Sequence, residues 1–363
     1  MYFYYGLLLF IVLLYLFLHK SNSKNHEVLF LKIVFLVLIT VGSIRSTEVG
    51  GDLSHYLNAY NRFGSAKWSD LFATRTKYGY LFAIVCKFAY SIDPSPQTFL
   101  TVTSVASLLP IYYFIKKYSI NPLMSVYVYI TFGLYTNTFN SVRASLALGI
   151  GVLLFDYVIE RKLWKFLLFY AVAVEIHQTF LPLILIYPLY KKEITVRYIA
   201  SSIAVCFLLS QTLSILSYIY KLAKSYDEGS YQNLELITGG YSLLSLMIAI
   251  TTAFFCINRK KMESCTKLWM HCMIVSCCTL CFATNLTMLT RVAMFFYVVL
   301  IVLFPETLNR IRNPYYSFLA RCSVFVLFFV YFSIFLMQPL KEYGGSNNQR
   351  TIPYKVFFEE NEQ

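Results

Sequence analysis

The sequence predicts an all-α, polytopic integral membrane protein with about ten to twelve transmembrane helices, some of them re-entrant or broken. Of the 363 residues, 58% are hydrophobic and only 13% are charged, and the mean hydropathy is +0.59. A soluble fold with this composition would leave large apolar patches in water. Apolar runs long enough to cross a bilayer recur along nearly the whole chain. These runs cover residues 2–18, 28–44, 97–115, 121–139, 144–159, 197–220, 240–257, 268–283, 286–304 and 315–337.

The chain has no polar segment long enough to form a separate soluble domain. We therefore expect one transmembrane bundle over residues 1–340 and a polar C-terminal tail over 341–363 that lies on the outer face. Within the bundle, the polar stretches 45–77 and 221–239 are expected to form outer-face loops. The first apolar run lacks a charged n-region and a small-residue cleavage site, so it predicts a retained helix and not a signal peptide.

Basic residues fall in six short clusters between the apolar runs, as in the positive-inside pattern, and this predicts six cytoplasmic loops. The clusters are Lys20/Lys24, Lys116/Lys117, Arg161/Lys162/Lys165, Lys191/Lys192, Arg259/Lys260/Lys261 and Arg310/Arg312. The net charge is +13, but because the basic residues are dispersed between the runs they do not indicate a nucleic-acid-binding face. The arrangement requires 78–115 to make one net crossing and 166–190 to enter and leave as two half-helices, which Pro182 and Pro188 permit. It places these residues on or near the outer face: Asp52, His55, Arg143, His177, Glu235 and Arg291.

Arg143 is a cation at the mouth of an apolar run, and such residues are costly so close to hydrocarbon. One interpretation is that its side chain reaches out to the lipid headgroups. The other is that its planar guanidinium binds phosphate with two parallel hydrogen bonds. Arg291 begins another apolar run in the same way. Two such arginines on one side of the membrane favour a diphosphate ligand.

The longest polar stretch before the C-terminus begins where the second apolar run ends. Gly50 and Gly51 allow a tight turn there, and Asp52 then suits the N-cap of a short helix that carries His55 and Tyr56. One interpretation is a plain interfacial helix. The other is that Asp52 and His55 face a cavity as a base or as groups that bind an acceptor.

His177 lies in an apolar run, with Glu175 two residues before it. A histidine in this setting is either a hydrogen-bonded core residue or a proton acceptor in a polar pocket. The polar segment 221–239, which carries Glu235, is either a connector or an outer loop that contacts a saccharide.

Several kinds of chemistry lack their sequence motifs. The cysteine cluster lies inside an apolar run, where cysteine behaves as a small hydrophobic residue and does not indicate a metal site; its members are Cys272, Cys277, Cys278 and Cys281. The chain has no P-loop, no HExxH and no G-x-S-x-G motif, which disfavours nucleotide-driven pumping, zinc proteolysis and serine hydrolysis. We therefore expect no metal and no cofactor, and a substrate that arrives in the membrane already activated.

Taken in order, these residues resemble the EpsG/Wzy-type polysaccharide polymerases over about residues 1–305. The resemblance rests on Arg45, Gly51, Asp52 and Tyr56 after the second run, Asn140 and Arg143 at a later one, "HQT" at 177–179, and Arg291 before the aromatic run that ends at 297. The family tends to place a glutamate before the Gly-aromatic pair that corresponds here to residues 77–80, where this chain has Lys77 and Tyr78.

The resemblance implies a glycosyltransferase that joins polyprenyl-diphosphate-linked oligosaccharide units, a donor and an acceptor, at the outer face of a bacterial inner membrane. The product would be capsule, exopolysaccharide or O-antigen, and a flippase and a chain-length regulator of the same pathway are candidate partners. By position, Arg143 and Arg291 would bind the diphosphate, and His177 or Asp52 would assist the acceptor hydroxyl. Other substrate contacts are expected from Arg45, His55, Tyr56 and Glu235. A flippase of the same units, a membrane acyltransferase that uses His177 as a base, and a non-catalytic scaffold remain alternatives.

Overall fold

A computed structural model describes residues 1–20, 25–73, 78–224, 241–259, 262–283, 289–337 and 349–358. Within these residues the chain forms seventeen α-helices, one 3₁₀-helix and one isolated antiparallel bridge, between Arg45 and Val356. The predicted all-α fold is thereby confirmed. The helices in the first half are α1 (Tyr2–Lys20), α2 (His26–Ile44), α3 (Leu53–Ser65), α4 (Trp68–Ala73), α5 (Tyr80–Ile92), α6 (Pro96–Tyr118), α7 (Pro122–Thr131), α8 (Leu134–Asn140), α9 (Val142–Ile159) and α10 (Leu163–Ile176). The 3₁₀-helix (Gln178–Leu185) follows, and then α11 (Ile186–Leu189), α12 (Val196–Lys224), α13 (Tyr241–Asn258), α14 (Ser264–Ala283), α15 (Leu289–Tyr297), α16 (Leu300–Asn309) and α17 (Pro314–Met337).

Six helices in the described part of the chain are long and apolar enough to cross a membrane: α1, α2, α6, α9, α14 and α17. Shorter apolar helices accompany them, among them α5 and α7. The chain is therefore a polytopic membrane protein. The 13 residues of α5 span only about 20 Å, which is less than the hydrocarbon thickness of a bilayer. The single net crossing expected of residues 78–115 stays a prediction.

The chain divides into two compact units, which are residues Met1–Leu181 with Leu300–Gln363, and residues Pro182–Val299. In the first unit α6 packs against α2 and α9, and α9 also packs against α10. In the second unit α14 packs against α12, α13 and α15. The single bundle over 1–340 stays a prediction.

The predicted break in the run 166–190 is present, but it lies at His177. Helix α10 ends at Ile176, His177 is extended with φ −150° and ψ 106°, and the chain continues as the 3₁₀-helix. Pro182 and Pro188, which predicted the break, lie within the 3₁₀-helix and within α11. The interruption therefore occurs five residues before Pro182, at a point where a side chain from another helix binds the last carbonyl of α10.

Candidate functional site around Arg143

Helices α6 and α9 give the first unit two distinct ends. Near the end of α9, the Asp156 carboxylate accepts hydrogen bonds from Lys117 Nζ at 2.6 Å and from the Tyr113 hydroxyl at 2.8 Å. Arg143, at the other end of α9, is thirteen residues and thus about 20 Å away along the helix. The structure therefore separates Arg143 from the basic pair Lys116/Lys117, as the positive-inside argument required. The side of the membrane that each end faces stays a prediction.

The Gly50–Gly51–Asp52 turn fits against the end of α8. Gly50 has φ +120°, and a Cβ at this position would lie 2.3 Å from the Phe139 carbonyl oxygen, so no larger residue fits. The backbone N–H of Asp52 donates to Asn140 Oδ1 at 2.9 Å. Two stretches that are 88 residues apart in sequence are joined by this bond.

Asp52 is the N-cap residue of α3, as the sequence predicted, but its side chain makes no capping hydrogen bond. The backbone N–H of Asp52 itself donates to Asn140, three residues before Arg143. The carboxylate of Asp52 is half-buried at this end of the unit.

Arg143 binds the C-terminal end of α10. Its Nε and Nη2 atoms donate to the Ile176 carbonyl oxygen at 3.0 and 2.8 Å, and this satisfies one of the carbonyls that a helix end leaves without an intrahelical partner. The guanidinium also lies 5.3 Å from the centre of the Tyr78 ring and 5.7 Å from that of Phe82, within the range of cation–π attraction. The arginine is thus held in place by protein contacts and does not simply extend into the headgroups.

The start of α5 is joined to the same helix end. Glu175 Oε1 accepts a hydrogen bond from the Tyr80 backbone N–H at 2.8 Å. Gly79 has φ +82°, and an added Cβ would lie 2.2 Å from the Glu175 carbonyl oxygen. Residues 78–80 and 175–177 therefore form one closely packed site.

An aromatic cluster lies on one side of this contact and includes the two rings that the guanidinium touches. The Tyr56 ring centre, on α3, lies 6.4 Å from that of Tyr78 and 5.9 Å from that of Phe82. Tyr56 and Tyr78 are both half-buried. The two rings thus combine apolar faces with hydroxyl groups, which suits them to contact a sugar. His55, the neighbour of Tyr56, is exposed.

His177 directly follows the carbonyl that Arg143 binds, and its side chain is half-buried. Its backbone N–H donates to Ala173 at 2.9 Å, and its carbonyl accepts from the Phe180 N–H at 3.0 Å. Gly151 on α9 leaves space for the Phe180 ring, because a Cβ there would lie 2.3 Å from Phe180 Cζ. The packing of α9 therefore fixes the position of the chain just after the break.

Arg45 lies in a different environment, beneath the C-terminal segment 349–358. Its side chain is only 1% exposed and lies 4.7 Å from the Phe139 ring centre, and its Nη1 donates to the Gly42 carbonyl. Burial lowers its pKa to about 10, so it remains protonated at neutral pH. In this structure the contacts of Arg45 hold the end of α2, and its predicted substrate contact stays a prediction.

Two predicted site residues are not among the described residues of the first unit. Arg291 is half-buried on α15, in the second unit. Glu235 lies outside the described residues, as does most of the segment 221–239.

Four members of this site are not expected from the sequence: the side chains of Tyr78, Phe82 and Glu175, and the carbonyl group of Ile176. Glu175 was the one with a sequence signal, because a carboxylate in an apolar run is costly unless it is paired. The described part of the chain contains no group of three or more His, Cys, Asp or Glu residues that could hold a metal ion.

The profile of the EpsG family matches residues 28–356, which includes every described element of this site. Comparison with curated proteins and with solved structures gives no match. The family match covers most of the chain and agrees with its all-α membrane fold. The chain therefore belongs to the EpsG family, as a multi-pass membrane protein with a polysaccharide-polymerase-like role.

Proposed function

We propose that the protein is a glycosyltransferase that joins polyprenyl-diphosphate-linked oligosaccharide units on the extracytoplasmic face of a bacterial inner membrane. The polymer would be capsule, exopolysaccharide or O-antigen. The observation that carries the proposal is the position of Arg143, which lies at the start of α9 and contacts the end of α10 and the Tyr78 ring before α5. The chain that holds it matches the family. A flippase delivers the lipid-linked units, and a chain-length regulator acts on the same product.

The Arg143 end of α9 suits a diphosphate. The N-terminus of a helix carries a partial positive charge, and Arg143 adds a full one. Ser141, the N-cap residue of α9, is 1% exposed, and its hydroxyl has no hydrogen-bond partner within the described residues. This end of the helix therefore offers positive charge and an unused hydroxyl. Arg291 is proposed as a second phosphate ligand.

The aromatic cluster of Tyr56, Tyr78 and Phe82 is proposed to receive the sugar next to the diphosphate. Ring faces pack on the apolar face of a pyranose, and the tyrosine hydroxyls bind its hydroxyl groups. Asp52 and exposed His55 are close in sequence to Tyr56, and Glu235 is proposed as an additional saccharide contact from its loop.

The reaction is proposed as a single displacement at the anomeric carbon. The acceptor hydroxyl oxygen forms the new C–O bond while the bond to the diphosphate breaks, and the diphosphate leaves with the electron pair. Preorganised positive charge stabilises the leaving group, without a requirement for a metal. Asp52 or His177 takes the hydroxyl proton. The configuration at the anomeric carbon is inverted, so a polymer linkage that retains the donor configuration would contradict this step.

The first experiment compares polymer formation by cells with Arg143→Ala, Arg143→Lys and the control Arg62→Ala. Arg62 is an exposed arginine on α3, so its loss removes the same charge without touching Arg143. We expect Arg143→Ala to lower polymer formation by about 10²–10³-fold, the effect of removing one preorganised donor. Arg143→Lys should not restore it, because an ammonium does not reproduce the planar two-donor geometry.

The location of the unpolymerised units separates the alternatives. Accumulation of single lipid-linked units outside the membrane supports polymerisation. Accumulation only on the cytoplasmic side would instead show that the protein transports them. Normal polymer in Arg143→Ala cells that contain the variant at wild-type level would refute the role of Arg143.

A further inference from the structure

A cavity of about 160 Å³ lies in the first unit, at the end opposite to Arg143. It is lined at the start of α7, at the end of α16 and by one side chain of α17; the lining residues are Ile120, Asn121, Met124, Pro305, Leu308, Asn309 and Arg321. Its neighbours in sequence include the basic pairs Lys116/Lys117 and Arg310/Arg312. The cavity has room for several water molecules or for one small polar group.

Arg321 is the charged residue of this cavity. It lies seven residues, or about 10 Å, into the apolar helix α17. An arginine within a membrane-spanning helix is costly unless it has a partner. Arg321 makes no hydrogen bond, ion pair or ring contact anywhere in the part of the chain that the structure describes. None of the described residues therefore serves as its partner.

The helix that carries Arg321 is long and apolar enough to cross a membrane, and most of it is exposed. Large apolar side chains on both sides of it are exposed, such as Phe318 at 68% and Leu327 at 66%. Ile120, at the rim of the cavity, is 51% exposed. A lipid molecule beside α17 thus has direct access to the cavity, with its acyl chains against the exposed face of the helix.

The remaining polar groups of the cavity fit a phosphodiester. Asn121 is the N-cap of α7, so the positive end of that helix lies beside Arg321. On the other wall, Asn309 ends α16, and its amide makes no hydrogen bond within the described residues. Arg310, the next residue, is paired with Glu306 at 2.7 Å and does not contribute an unpaired charge.

We propose that this cavity binds the phosphate of a phospholipid headgroup, with Arg321 as its cationic ligand and the amides of Asn121 and Asn309 as further contacts. The site is separate from Arg143 and does not take part in the polymerisation step. Inorganic phosphate offers the same anion without acyl chains, so the test must distinguish the two sources.

The test uses the full-length protein in a phosphate-free sugar detergent. Short-chain phosphatidylglycerol, short-chain phosphatidylethanolamine, a phosphate-free glycolipid and inorganic phosphate are titrated, and binding is followed by native mass spectrometry and by the thermal midpoint. The variant is Arg321→Gln, which removes a charge from a lipid-facing helix and should not impair folding. The matched control is Arg312→Gln, which removes an exposed arginine near the same end that does not line the cavity.

We expect the phospholipids to bind the wild type and the control alike, and Arg321→Gln at least tenfold more weakly. The glycolipid should not distinguish the three proteins. If inorganic phosphate binds with the same Arg321 dependence and affinity, the site is a phosphate site and a lipid is not its ligand, which overturns the proposal. Equal phospholipid binding by Arg321→Gln and wild type overturns it as well.

Discussion

Replacement of Gly79 by alanine should disable the site by displacing the end of α10. Gly79 has φ +82° and ψ 155°, a combination that is essentially restricted to glycine and costs other residues about 1–3 kcal/mol. The added Cβ would lie 2.2 Å from the Glu175 carbonyl oxygen, where real contacts are at least 3.0 Å. The carbonyl would therefore have to withdraw by about 1 Å.

This displacement would act directly on Arg143. Glu175 precedes Ile176, whose carbonyl binds Nε and Nη2 of Arg143, and the Glu175 carboxylate binds the Tyr80 N–H. A misplacement of 1 Å in a catalytic site can cost about 10²-fold in rate. We therefore expect Gly79→Ala to lower polymer formation by about 10²-fold.

Gly133 provides the matched control. It also has a positive φ, +77°, but a Cβ there would lie 3.4 Å from the Phe335 ring, which is an ordinary contact. Gly133→Ala thus adds positive-φ strain without moving a backbone segment. Polymer length and amount are measured in membranes with equal levels of epitope-tagged protein. If Gly79→Ala makes as much polymer as Gly133→Ala, the apposition of residues 78–80 and 175–177 is not part of the active site.

Two further predictions concern the C-terminal segment and the orientation of the protein. Tyr354 stacks on Phe3 at 3.9 Å and donates to the Val41 carbonyl at 2.8 Å. Tyr354→Phe should cost about 1 kcal/mol of stability and Tyr354→Ala about 3 kcal/mol or more, as measured by thermal unfolding and by proteolysis of the tail; equal values would show that the ring does not hold the segment. In a protein whose exposed cysteines are replaced by serine, a cysteine at His55 should react with an impermeant maleimide from outside, and one at Lys165 only after permeabilisation. The reverse pattern would contradict the positive-inside orientation.

The fold could be predicted from the sequence because hydropathy alone identifies apolar helices. Where those helices end is less predictable, since an ending depends on contacts between distant residues. The chain breaks at His177 because Arg143 and Gly79 pack against the last carbonyls of α10, and neither is near it in sequence. The prolines 182 and 188 predicted an irregularity in the correct run but not its position.

Part of the candidate site has a signal in the sequence. Arg143, Asp52 and Tyr56 attract attention because a cation near hydrocarbon, a cap residue after two glycines and a polar aromatic residue are unusual in an apolar chain; their roles stay predictions. Their partners were not found, because a backbone carbonyl such as that of Ile176 has no sequence signature. Glu175 joins Tyr80 across 95 residues. This places a carboxylate against Gly79 and Tyr80, directly after Tyr78, which departs from the family pattern, and makes Glu175 a further candidate for proton transfer in the proposed reaction.

The geometry of the Asp52 turn depends on residues at the opposite end of the chain. The Ser46, Gly50 and Gly51 N–H groups donate to the carbonyls of Lys355, Arg350 and Gln349 at 2.9, 2.9 and 3.0 Å. Buried Arg45 and its bridge to Val356 hold the same segment against the end of α2. Within the described residues Arg45 has no carboxylate partner, and its guanidinium is held by the Gly42 carbonyl and the Phe139 ring. The family match extends to residue 356 and so includes this contact. We infer that the C-terminal segment and Arg45 together support the turn that carries Asp52; the substrate contact of Arg45 stays a prediction.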